Sequence, residues 1–168
     1  MSPGPDIRLV ASIAILAVAT AAVFVAGLAS ALQERTPTRA TSVLYFGLGG
    51  LAGHTLGAFT VLAAYPWLIS VAATDQVSAT HAYVAINGLT MASDGIGNFF
   101  VGLSTLLAGW AITATPGFGA ALGWFGIITG FVTALAGLAP QVSALHLGSF
   151  ILPIVWLVWA GSALRRTA

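Results

Sequence analysis

Between Asp94 and Arg165 the chain runs for 70 residues without a charged side chain. A water-soluble domain carries roughly a quarter of its residues as Asp, Glu, Lys or Arg, whereas 5% of these 168 residues are charged. A surface so poor in charge does not keep a fold in solution. A membrane-crossing helix, in contrast, needs about 20 predominantly apolar residues in a row. The chain therefore reads as an all-α integral membrane protein.

The nine charges stand at positions 6, 8, 34, 35, 39, 75, 94, 165 and 166, leaving uncharged runs of 25, 35, 18 and 70 residues. The longest run must hold more than one span, with breaks at Pro116-Gly117 and Pro140-Gln141. Spans are expected over 9–32, 41–65, 82–114, 118–138 and 145–164, a single five-transmembrane-helix bundle. The third is long enough to require tilt or a local break near Gly95 and Gly97. Pro66 is expected to end the second span, leaving 66–81 as the longest loop, with Asp75 and His81 in it and its apolar part, 67–73, along the interface. The small residues Ala29-Ser30-Ala31 resemble a signal-peptide cleavage site, but the apolar run before them is too long for one.

Arg35, Arg39, Arg165 and Arg166 then share one side and Arg8 the other. The excess of arginine marks the cytoplasmic side, so the N-terminus is expected outside and the C-terminus in the cytoplasm. Tyr65, Trp67 and Tyr83 fall at the outer edge and Tyr45, Trp110, Trp124 and Trp159 toward the inner one. Amphipathic rings at both interfaces fit that arrangement.

Absent residue types exclude whole chemistries. The chain has no Cys, hence no disulfide, thiolate metal site or iron–sulfur ligation. All five cations are Arg, so no lysine Schiff base or Walker-type phosphate lysine exists. A net charge of +1 supplies no basic field for nucleic acid.

Glycines form two stripes: Gly49, Gly53 and Gly57 in the second span, and Gly119, Gly123, Gly126 and Gly130 in the fourth. Small residues at such spacing let helix backbones approach closely in lipid. They serve packing within the chain, or contacts in a homo-oligomer or a larger membrane complex.

The segment 87–98, NGLTMASDGIGN, carries the chemistry. Asn87, Asp94 and Asn98 stand at i, i+7 and i+11 and share one helical face. Asp94 is expected near the middle of its span, where an ionised carboxylate costs on the order of 3 kcal/mol. His54, at a similar depth in the preceding span, is the candidate partner. The cluster reads either as a hydrogen-bonded clamp between helices or as a polar pocket for a proton or a small molecule. Gly50 and Ala58 flank His54 at four residues on either side, leaving room for a flat macrocycle on its imidazole. Haem or chlorophyll on His54, or on His81 with His146 near the outer edge, is therefore a second reading, that of an accessory subunit of a respiratory or photosynthetic complex.

No catalytic or metal site is expected. Aspartyl intramembrane proteolysis needs two carboxylates where only Asp94 is available, and no His-Glu-x-x-His occurs. Ser104 and His146 fall toward opposite membrane faces, which disfavours Ser–His catalysis. A proton-coupled transporter would need an oligomer, since five spans do not form a repeat pair.

The stretch 99–138, FFVGLSTLLAGWAITATPGFGAALGWFGIITGFVTALAGL, has a glycine-containing helix exit, a Pro/Gly turn and a glycine-striped helix with Gly-Trp. With the later 156–161, WLVWAG, it resembles small bacterial polytopic membrane proteins of a domain-of-unknown-function family. Those proteins are often longer, with additional helices. The resemblance implies a bacterial inner membrane and assigns no functional residue. Size and span number are also similar to the tryptophan-rich sensory protein family, which binds tetrapyrroles and sterols. Its Pro- and Trp-rich signature is missing here, where 33–40 read QERTPTRA.

Overall fold

The computed structural model describes the backbone of residues 7–167 and the side chains of residues 13 and 16–166. Five helices follow in order: α1 (Ile7–Leu32), α2 (Pro37–Ala72), α3 (Gln76–Thr113), α4 (Ala120–Leu138) and α5 (Ser143–Thr167). Four of them, α2 to α5, are long and apolar enough to cross a membrane, and α1 adds the apolar stretch Leu16–Leu32. The side chain of Arg8 lies outside the described residues.

The second and third helices are longer than the sequence suggests. Pro66 lies inside α2, which continues to Ala72, so the expected loop over 66–81 shrinks to residues 73–75. Packing overrides the proline: Tyr65 stacks on Tyr83 at 6.5 Å, and Leu68 and Ala79 are buried beyond it. Asp75 starts α3 by accepting from the backbone N–H groups of Val77 and Ser78 and from the Ser78 hydroxyl. These bonds, led by that of the Ser78 hydroxyl, hold the Asp75 carboxyl below its ordinary value. At about 1.5 Å per residue, 36 and 38 residues give helices of about 54 and 57 Å. Both exceed the roughly 30 Å hydrocarbon layer.

α3 is the central helix, packed most extensively on α2 and α4, with α1 against α2 and α5 against α4. Its contact with α4 is a glycine seam of period seven. Gly95, Gly102 and Gly109 meet Gly137, Gly130 and Gly123 in antiparallel register. A Cβ on Gly109 would stand 2.6 Å from the Gly123 carbonyl oxygen, and one on Gly102 would overlap the Ala134 backbone. A seven-residue period keeps one seam in contact when helices cross at a small left-handed angle. The break expected at Gly95 and Gly97 does not occur, because both glycines are used for close packing within a continuous helix.

The glycines of the two stripes are mostly consumed inside the chain. Gly53 and Gly57 face α3; Gly123, Gly126 and Gly130 face α3, with Gly126 also under the Trp156 indole. Gly49 and Gly119 have nothing within 4 Å of a would-be Cβ, and Gly47 and Gly50 take their place in the packed face of α2.

The main core lies at the end where the arginines gather. Leu28, Leu32, Val43, Ile112, Leu122 and Trp156 are its large buried members, drawn from all five helices. Two buried side chains bond to a neighbouring helix there: the Ser104 hydroxyl donates to the Val43 carbonyl at 2.7 Å and the Trp156 indole N–H to that of Leu122 at 3.3 Å. Arg39 lies 4.0 Å from the centre of the Trp110 ring at the same end, a cation held on an aromatic face.

Candidate functional site

α2 and α3 cross with a polar side chain from each seated in a glycine notch of the other. A Cβ on Gly97 would stand 2.9 Å from Cγ, Cδ2 and Cε1 of His54, so the imidazole lies face-on against that glycine. A Cβ on Gly57 would stand 3.0 Å from Oδ1 of Asp94. The reciprocal fit brings His54 Nδ1 to 3.5 Å from Asp94 Oδ1. The distance lies at the outer limit for a hydrogen bond. Neither group is enclosed: the side chains are 32% and 48% exposed. The pairing expected from the sequence is therefore present, in an open and loosely bonded form.

Asn98 lies one turn from Asp94 toward the arginine end, half-buried, with no side-chain hydrogen bond among the described residues. Asn87 does not join the pair. It is exposed, and its amide nitrogen donates to Sδ of Met91 at 3.6 Å. Two helical turns separate it from Asp94, more than its side chain bridges.

His81 and His146 stand apart from the pair. His81 lies in the second turn of α3 rather than in a loop and is exposed. His146 lies in the first turn of α5, its ring edge-on to Phe150 at 5.1 Å. No hydrogen bond or ring contact joins them, and no group of three or more His, Asp or Glu side chains that could hold a metal ion occurs among the described residues.

The face of α3 that carries Asp94 and Asn98 continues to Thr105, seven residues beyond Asn98. Thr105 is buried and lines a partly enclosed hollow of about 80 Å³ with Phe24 and Leu28 of α1, Gly47 of α2, and Pro153 and Trp156 of α5. The hollow reaches Leu51 and Val101, each three residues from a member of the polar group. Sequence reading missed Thr105. The signal was its i+11 spacing from Asp94, the same spacing that links Asn98 to Asn87.

The register of α3 on α4 sets the height of the site. Gly95 meets Gly137, so Asp94 stands level with the last turn of α4. Pro140, in the α4–α5 turn, shares a surface hollow with Met91 and Gly95. Comparison of the chain with family models, with curated proteins and with solved structures finds no match.

Proposed function

We propose that the chain is a five-span protein of a bacterial inner membrane, N-terminus outside, that binds a small molecule at the His54–Asp94 pair. The observation that carries this reading is the half-exposure of a carboxylate and an imidazole whose helices are already held together by other contacts. Gly50 and Gly53 supply the α2–α3 approach, and Ser104 supplies a buried interhelical hydrogen bond. A clamp would be expected closed and short; this pair is open at 3.5 Å. Asn98 beside it adds an amide with no hydrogen bond among the described residues. Together the three groups offer donors and acceptors to an incoming polar group.

Depth supports access. Irregular backbone facing lipid is not tolerated in the hydrocarbon layer, so the α4–α5 turn at Pro140 belongs near its outer boundary. Asp94 is then within about one to two turns of that boundary rather than at mid-bilayer. A charge placed there reaches the polar interface at much lower cost than at the centre. The arginines at the opposite end put that boundary on the outer side. Ligands reaching the pair from outside the membrane are thus the class favoured.

Native mass spectrometry of the protein released from mild detergent tests the reading. A small molecule should accompany the wild type and be lost from Asp94→Asn with the fold retained. Equal retention of the same molecule in both proteins would contradict it.

A further inference from the structure

We propose a second binding site, separate from the His54–Asp94 pair, in the hollow around Thr105, and assign it to short aliphatic alcohols. Threonines in these helices often turn their hydroxyl back to the carbonyl four residues earlier, as Thr20, Thr55, Thr60, Thr80, Thr90 and Thr133 do. Thr105, 8% exposed, does not, and its hydroxyl has no hydrogen-bond partner among the described residues. Thr129 also lacks one, but its oxygen is sealed from any space, whereas Thr105 lines the hollow. A hydroxyl left without a partner in apolar surroundings is costly, and the walls around it are otherwise apolar apart from Ser104, which already donates to Val43.

Size and polarity together select the occupant. The volume of about 80 Å³ is roughly half the ~150 Å³ that admits benzene, so a chain of about three or four carbons fits and a sterol or macrocycle does not. A buried water typically makes about three hydrogen bonds and finds here at most the two hydroxyls of Thr105 and Ser104. An aliphatic alcohol meets Thr105 through one oxygen, which both donates and accepts, and sets its carbons against Phe24, Leu28, Pro153 and Trp156.

The test is photolabelling with 3-azibutanol, a four-carbon alcohol bearing a diazirine, of the protein in lipid nanodiscs, with peptide mapping. Label should concentrate on the residues of the hollow and be displaced by 1-butanol. Thr105→Val should lower it about fivefold, the worth of one net hydrogen bond, and Ala21→Leu should abolish it by filling the space. Asp94→Asn should leave it unchanged, so this site stands or falls apart from the pair. Label spread evenly over outward residues such as Val23 and Ile154, or a hollow signal unaffected by both pocket variants, would overturn the assignment.

Discussion

At the scale of residues, the contact between His54 and Asp94 follows from two side chains at similar height on consecutive antiparallel helices. That much was legible from sequence, because an isolated carboxylate in an uncharged run draws attention to any titratable neighbour. The notches at Gly57 and Gly97 were not legible, since they depend on how the two helices are rotated about their axes. Asn87 shows the complementary error. It shares a face with Asp94, yet a shared face two turns apart is not a contact. Asp75, expected within a loop, is the N-cap of α3. Its carboxyl is held below the ordinary 3.8 by Ser78 and Val77. A lowered native value stabilises the fold above the ordinary carboxyl pKa, about 4, and that contribution fades as pH falls through the native value. Asp75→Ala should therefore melt below the wild type at pH 7. The gap should narrow progressively as the melts are repeated below pH about 4.

At the scale of elements, glycine does opposite things depending on which way it faces. Gly102 touches the backbone of α4 at Ala134 and Gly130, whereas Gly49 meets nothing. Gly102→Ala should destabilise the protein by about 1–3 kcal/mol through overpacking. Gly49→Ala should stabilise it by up to about 1 kcal/mol, because alanine lowers the entropy cost of forming helix. Thermal unfolding in mild detergent reads both, and equal signs would refute the assigned faces. The stripes in α2 and α4 were visible as spacings of three and four. The partner of the α4 stripe on α3, with period seven, was hidden because Gly97 breaks the pattern by facing α2 instead. Helix ends were least legible at Pro66, where local preference predicts a stop but packing of Leu68 and the Tyr65–Tyr83 stack carries the helix on.

At the scale of the whole molecule, the described residues put the main apolar core, the aromatic-capped Arg39 and the two buried interhelical hydrogen bonds at one end. The polar pair lies toward the other, level with the last turn of α4. Asp94 lies at the midpoint of its own 38-residue helix, and the register of α3 on the shorter α4 puts it level with the last turn of that helix. Holding the bundle together and presenting the pair are thus assigned to different residues, and that separation is the central claim. Its most direct test is the thermal midpoint of Asp94→Asn beside that of the wild type, each in detergent and stripped of any co-purified small molecule, which would otherwise stabilise the wild type alone. The account predicts a shift much smaller than that of Gly102→Ala. A drop as large as that of the glycine variant would make the pair a clamp and contradict the account.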